Sequence, residues 1–274
     1  MEEKFLQSYS VNSGAKLEVQ NLNGNINITG WANDVIEIEA IKKISDFSEG
    51  ILAGMIKKVI EVTSGNPENE KYEFENVVIE VKNDQDAIFV ETKYLKKNSK
   101  IAVNYEIKVP SNIMVCIVDN SNGKISLENT FGDSNIKTSN GSIYVKNVKG
   151  IIKAYSSNGN IFVNAPGISS LETSNGHIEA EISEIKNDID IKTSNGKITL
   201  NISSDINADV QLKTSNGKVS VSESEITKSH SSSNNFEGRI GTGGCHIRAV
   251  TNNGKIELVY KKKALLEANK KLIS

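Results

Sequence analysis

The 274-residue chain is poor in cysteine, proline and arginine, and each scarcity excludes a class of protein. Two cysteines, Cys116 and Cys245, cannot build a disulfide framework. Three prolines argue against disorder by composition. Only Arg239 and Arg248 supply the guanidinium group that grips phosphate or guanine, and a net charge of −2 gives no general attraction to polyanions. The sequence therefore predicts no nucleic-acid partner.

Long apolar runs are also missing. No run approaches the roughly 18 apolar residues of a membrane-spanning helix, so no transmembrane segment is predicted. The first ten residues, MEEKFLQSYS, contain neither a basic segment nor an apolar run, so no secretory signal is predicted there. We therefore expect a cytoplasmic protein, with processing or unconventional export as the alternative.

What the sequence does contain is a repeated Asn-Gly pair. The glycines of seven pairs are separated by 18, 18, 17, 20, 21 and 37 residues. They are Gly123, Gly141, Gly159, Gly176, Gly196, Gly217 and Gly254. A period of this length is typical of a solenoid or an array. We interpret the last, double gap as containing a degenerate copy at Gly238, and Asn23-Gly24 as an upstream copy.

Three columns of the repeat are apolar in every copy. Isoleucine or valine stands two residues after each glycine, and aliphatic residues or alanine stand four after and five before. The residues between are mostly polar, which predicts strands with one buried face. Because Asn-Gly tolerates a positive φ, the seven glycines are predicted to be structural turns.

Two all-β arrangements satisfy this pattern. In a β-solenoid, a parallel β-helix-like fold, each repeat is a rung of about 18–20 residues with a second corner near Gly132, Gly150 or Gly167. In the alternative, each Asn-Gly closes a hairpin and the hairpins assemble into sheets. We favour the solenoid because the second corner recurs.

The chain on either side of the repeats is expected to cap the stack. Residues 1–110 are predicted to form a β-rich cap continuous with it, including an amphipathic helix around residues 46–60. Residues 111–260 are predicted to be the repeat solenoid, and residues 261–274 a short capping helix or tail. The polar, glycine-rich segment 228–244 is predicted to be an irregular loop or a loose coil of the solenoid.

The phrases NGNINITGW, EIKVP and TSNGKI, in that order, resemble an adhesin-like family of bacterial and archaeal β-strand repeat proteins. The domain of that family has been catalogued as of unknown function. Gly24 to Trp31, Val109-Pro110 and the seven corners occupy the family's positions over roughly residues 10–260. The resemblance implies a β-solenoid-like fold, a non-catalytic surface and an association with the cell envelope.

The candidate binding residues are the lysines that directly follow four of the glycines, namely Lys124, Lys197, Lys218 and Lys255. Stacked copies would form an outward basic stripe able to dock an acidic polymer or anionic lipid. The alternative is a solvated face that blocks aggregation. Calcium is disfavoured by lysine at these turns, and no metal or cofactor site is predicted. No nucleophile and base converge in the sequence pattern, so no catalytic residue is predicted.

These observations predict a non-enzymatic scaffold or binding module whose partner is a protein, a glycan or an envelope component. Two alternatives remain: a self-assembling structural protein, and a polysaccharide-active enzyme on a β-helix. Such an enzyme needs two carboxylates about 5–9.5 Å apart in a groove. Its aromatic lining is hard to place, because only 5% of the residues are aromatic. The oligomeric state is left open.

Overall fold

The structure is a computed structural model that describes residues 2–44, 73–97, 99–203, 205–222 and 226–261. These residues form 23 strands and one short helix at residues 73–75. The strands are β1 (Glu2–Ser10), β2 (Lys16–Asn23), β3 (Ile26–Trp31), β4 (Val35–Ile44), β5 (Val77–Asn83), β6 (Ala87–Tyr94), β7 (Ile101–Pro110), β8 (Met114–Asn122), β9 (Ile125–Glu128), β10 (Ser134–Asn140), β11 (Ile143–Lys146), β12 (Ile151–Asn158), β13 (Ile161–Asn164), β14 (Gly167–Asn175), β15 (Ile178–Ile182), β16 (Ile189–Asn195), β17 (Ile198–Ser203), β18 (Ala208–Asn216), β19 (Val219–Val221), β20 (Ile226–Ser231), β21 (Asn235–Ile240), β22 (His246–Asn253) and β23 (Ile256–Lys261).

The predicted all-β class is confirmed. The helix predicted around residues 46–60 lies outside the described residues. So does the helix predicted for residues 261–274, apart from Lys261, which ends β23.

The strands form two large sheets with the core between them. Sheet A has the order β1-β4-β7-β3-β9-β11-β13-β15-β17-β23-β19. Sheet B has the order β20-β21-β18-β22-β16-β14-β12-β10-β8-β2-β6-β5. Neighbouring strands are parallel through the middle of both sheets, and antiparallel pairs occur only towards the ends of the stack.

Each Asn-Gly turn links a strand of sheet B to a strand of sheet A, and we call this pair of strands a rung. In one rung, β10 ends at Asn140 and β11 begins at Ile143. Equivalent strands of neighbouring rungs pair in parallel, so that Ile143 lies opposite Ile161. The two strands that flank a turn lie in different sheets, and the hairpin alternative is therefore wrong.

The three predicted apolar columns fill the space between the sheets. All of their residues are buried except Val219 and Val221, which are only partly buried because they belong to the outermost rung. Parallel strands about 4.8 Å apart stack each side chain on its equivalent. In one such column, Ile178, Ile198 and Ile256 lie side by side.

The corner glycines bring the backbones of neighbouring rungs into close contact. At Gly141, Gly159 and Gly196, a Cβ atom would lie under 3.0 Å from the carbonyl oxygen of the adjacent corner glycine. Positive φ, the reason expected from the sequence, occurs among the eight Asn-Gly corners only at Gly24 and Gly123. Elsewhere the approach of the neighbouring rung, and not the backbone angle, requires glycine.

Two polar columns explain the rest of the repeated phrase TSNG. Three residues before six of the eight corner glycines, a buried hydroxyl donates to the carbonyl of a neighbouring corner glycine, as Ser156 does to Gly141 at 2.9 Å. The corner asparagines form an amide ladder. The Nδ2 of each asparagine after the first donates to the Oδ1 of the asparagine before it in the stack, at 2.8–2.9 Å. In spatial order this asparagine ladder is Asn23, Asn122, Asn140, Asn158, Asn175, Asn195, Asn253 and Asn216.

At the carboxyl-terminal end the rungs do not stack in chain order. The last rung of the chain, β22–β23, is inserted between two earlier rungs. Rung β16–β17 lies on one side of it and rung β18–β19 on the other. A hairpin of β20 and β21 then pairs antiparallel with the outer edge of β18.

This hairpin corrects two predictions. The segment 228–244 is largely β20 and β21, not an irregular loop. Gly238 is not a degenerate corner, because it lies within β21, where a Cβ would meet the side chains of Ile226 and Phe236. Phe236 and Ile240 are buried, and two apolar residues in a polar stretch gave too short a pattern to indicate a strand.

The amino-terminal end shows a similar interruption. The rung of β2 and β3 lies between β8–β9 and the strands β6 and β7, which follow it in the chain. Antiparallel β5 extends sheet B beyond β6, and β4 and β1 extend sheet A beyond β7.

Two tyrosines, buried Tyr105 and half-buried Tyr94, join the sheets at this end. The Tyr105 hydroxyl lies 2.6 Å from Thr92 Oγ1, and the Tyr94 hydroxyl donates to the Ile101 carbonyl at 3.1 Å. Burial raises the pKa of Tyr94 from 10.0 to about 12, and burial also raises the pKa of Tyr105.

We expect the free energy of unfolding to fall as the pH rises from 10.0 towards about 12. In that window the unfolded tyrosines lose their protons while the buried ones keep them, so ionisation favours the unfolded chain. Urea unfolding at several pH values would measure the slope. Tyr94→Phe should make it shallower, and a slope unchanged in this variant would contradict the assignment.

We expect Gly159→Ala to lower the free energy of unfolding by at least about 2 kcal/mol, because neither backbone at the corner can move away from the added methyl group. Urea unfolding would measure the loss. Lys153→Ala, on the exposed outer face of the same rung, is the matched control and should change stability little. Equal losses in both variants would show that the corner contact is not limiting.

Candidate binding groove on sheet A

The outward side chains of sheet A form columns with the same spacing as the core. Three residues after successive corner glycines stand Ser126, Tyr144, Phe162 and Glu179, which lie opposite one another in register. Two residues further along the strands stand Glu128, Lys146, Asn164 and Glu181. Strands about 4.8 Å apart bring neighbours within each column into contact.

Tyr144 and Phe162 form a stacked aromatic pair on this face. Their ring centroids are 4.9 Å apart and their planes meet at 14°. Lys124 Nζ lies 4.6 Å from the centroid of the Tyr144 ring, within the range of a cation–π contact. The Tyr144 side chain remains 37% exposed, so the aromatic pair presents apolar surface to solvent.

Charged and amide side chains border the aromatic pair and hold one another in place. Lys146 Nζ lies 3.3 Å from Glu128 Oε1. Asn164 Nδ2 donates to Glu181 Oε2 at 2.6 Å. The border therefore offers an ammonium group, two carboxylates and an amide in fixed positions.

These side chains line an open groove of about 410 Å³. Its lining includes Lys124, Glu128, Tyr144, Phe162 and Glu179. An apolar centre with a few convergent donors and acceptors at its margin is the usual composition of a small-molecule or oligomer binding site. We call this surface the sheet A groove.

Three of the four predicted lysines lie side by side at one end of the stack. Lys255 lies between Lys197 and Lys218 on neighbouring rungs, because β23 lies between β17 and β19. Lys124 is separated from this group by three rungs. The intervening corner positions are occupied by Ser142, Asn160 and His177.

Two of the three adjacent lysines share a carboxylate. Glu257 lies 2.5 Å from both Lys197 Nζ and Lys255 Nζ. Hydrogen bonds from Lys197 and Lys255 lower the pKa of Glu257. Two of the positive charges therefore share one neutralising partner, and docking of an anionic ligand on the stripe stays a prediction.

Tyr144 and Phe162 were not among the predicted binding residues. The signal that identifies them is their shared position, three residues after Gly141 and Gly159 in consecutive repeats. The two rings touch only because their strands, β11 and β13, are parallel and paired in register. Either residue alone is an ordinary outward aromatic side chain.

In the ranges that the structure describes, no three or more His, Cys, Asp or Glu side chains are grouped as metal ligands would be. In the same ranges, no helix has the length and apolar character needed to cross a bilayer.

The two sheets, the rungs and the outer groove define a class of β-repeat protein, and sequence comparison gives its family. The sequence model of the Toastrack DUF4097 family matches residues 59–259. The chain belongs to this family, and the adhesin-like family resemblance is confirmed. No curated protein matches the chain.

Three solved structures show similarity at low identity. A candidate cell adhesion protein from Clostridium sporogenes is 13% identical, with 95% of this chain and 100% of that chain covered and a TM-score of 0.34. A candidate adhesin from Bacteroides fragilis is 12% identical, with 94% and 97% covered and a TM-score of 0.30. A candidate lipid-binding protein from Parabacteroides distasonis is 14% identical, with 93% and 96% covered and a TM-score of 0.39. Likeness at this level says nothing about what the present chain binds.

We expect Glu257→Gln to strengthen retention on a heparin column, because it frees Lys197 and Lys255 from their shared carboxylate. The salt concentration at elution measures the effect. Glu172→Gln, an exposed change of the same charge on sheet B, is the matched control. Equal shifts would mean that only net charge matters and that the lysines do not act as a group.

Proposed function

We propose that the chain is a non-enzymatic binding module whose ligand occupies the sheet A groove. The observation that carries this proposal is the stacked pair of exposed Tyr144 and half-buried Phe162 in the lining of the groove. The rungs that hold them fit the description of a β-solenoid, in which each repeat contributes one strand to each sheet.

The groove is favourable for binding because it is rigid before any ligand arrives. Tyr144 and Phe162 are each the second residue of a strand paired on both sides, so their backbone is fixed by ladder hydrogen bonds. A surface that is already ordered loses little conformational entropy when it binds. Aromatic side chains also add contact area at a low entropy cost.

The ligand class that this lining favours is a neutral oligosaccharide. Its C–H groups can pack on the ring pair while its hydroxyls, which both donate and accept, meet lysine, carboxylate and amide groups. The groove contains two lysines against three glutamates, which disfavours a strongly anionic ligand. Polar contacts within the border, such as Lys146 with Glu128, favour a binding role over a catalytic one.

End-to-end assembly is less favoured than binding. Antiparallel strands follow the parallel rungs in both sheets at one end, where β5, β4 and β1 lie, but only in sheet B at the other, where β20 and β21 lie and sheet A ends at β19. A repeat stack that grew by adding parallel rungs would need an open parallel edge in both sheets, and sheet B has none among the described residues, because it ends at antiparallel β5 and β20.

We expect immobilised neutral oligosaccharides to bind the full chain, with affinity lowered about tenfold or more in Tyr144→Ala and in Phe162→Ala, since truncating a central aromatic removes a binding hot spot. Biolayer interferometry against a panel of such glycans would measure this. Tyr155→Ala is the matched control, because Tyr155 is also 37% exposed but lies on the sheet B face of the Phe162 rung.

Three results would contradict the proposal. Equal losses in the Tyr155 variant would mean that the groove is not the site. Absence of binding across the glycan panel would overturn the ligand class. Cleavage of any glycan by the wild-type chain, lost in a single groove variant, would overturn the non-enzymatic assignment.

A further inference from the structure

The eight Asn-Gly corners are chemically equivalent in the sequence but not in the structure. In a flexible chain, asparagine before glycine is prone to lose its side-chain amide, because glycine has no Cβ to shield its backbone nitrogen. That nitrogen attacks Cγ of the preceding asparagine. The reaction therefore needs a free backbone N–H and an accessible side-chain carbonyl.

Seven of the corners have that backbone N–H engaged. Each glycine N–H donates to the carbonyl of the asparagine in the adjacent rung, at 2.8–3.2 Å. The seven donors are Gly24, Gly123, Gly141, Gly159, Gly176, Gly196 and Gly254. All seven glycines are half-buried between neighbouring rungs.

The eighth corner, Asn216-Gly217, lies at the end of the asparagine ladder. Asn216 Nδ2 donates to Asn253 Oδ1 at 2.9 Å, but no further ladder asparagine donates to Asn216 Oδ1. Within the part of the chain that the structure describes, the Gly217 N–H has no hydrogen-bond acceptor. Gly217 is also the only one of the eight corner glycines that is exposed.

We propose that Asn216 is a site of spontaneous covalent modification, at which water converts the side-chain amide to a carboxylate. Hydroxide removes the Gly217 amide proton, and the nitrogen attacks Asn216 Cγ. The N–Cγ bond forms, the Cγ–Nδ2 bond breaks, and ammonia leaves a cyclic imide. Water opens the imide at either carbonyl to give aspartate or isoaspartate at position 216.

The product changes the end of the stack. A carboxylate at position 216 can no longer donate to Asn253 Oδ1, so the last step of the asparagine ladder is lost. The isoaspartate form also adds a carbon to the backbone between β18 and β19, which shifts the register of the outermost rung.

The test is incubation of the full chain in mildly alkaline buffer, followed by peptide mapping by mass spectrometry. Trypsin is unsuitable, because residues 193–197 and 214–218 both give TSNGK. Cleavage before aspartate and after glutamate places Asn195 and Asn216 in separate peptides, 190–204 and 209–223. We expect conversion at Asn216 to be at least about tenfold faster than at any other corner, because the others react only through local opening.

Two controls make the result decisive. In urea all eight corners should react at similar rates, and a persistent lead of Asn216 there would overturn the structural explanation. Asn216→Ser should abolish the fast conversion, whereas Asn195→Ser should leave it intact. Equal rates at all corners of the folded chain, or a faster rate at another corner, would overturn the proposal.

Discussion

Close contact between neighbouring backbones at the Asn-Gly corners is the constraint on which the rest of the structure depends. A corner glycine such as Gly159 has no room for a Cβ against the carbonyl of Gly141, and that same carbonyl accepts the Ser156 hydroxyl. The contact fixes the height and the register of each rung at once. A corner with any larger residue would separate the rungs and interrupt both sheets.

Fixed register has opposite consequences on the two faces of a sheet. On the inner face, the fixed register stacks isoleucine on isoleucine in a close-packed apolar core. A shift of one residue would move these side chains out of the core. On the outer face, the fixed register places equivalent side chains of successive repeats next to one another. Tyr144 and Phe162 therefore form one continuous apolar surface. The groove therefore arises from outward residues of the strands and needs no loop of its own.

At both ends of the stack, the spatial order of the strands differs from their order in the chain. At one end β22 and β23 enter between two earlier rungs, and at the other β2 and β3 are enclosed by strands that follow them. The first Asn-Gly rung of the chain is thus covered by β6 and β7, and the last is not the outermost rung at its end. The outermost rung at the carboxyl-terminal end contains Asn216, where the asparagine ladder and the glycine hydrogen bonds both stop.

The sequence by itself determined the all-β class, the corners and the buried columns, because a period-2 pattern repeated at each Asn-Gly leaves only one face for the core. The sequence also identified the corner glycines, although glycine is required there mainly by the close approach of the neighbouring rung and not by a positive φ. Only the tertiary structure decided which rungs are neighbours. Pairing of β23 with β17 and β19, and the contact of Tyr144 with Phe162, depend on register between distant segments, which no local pattern records.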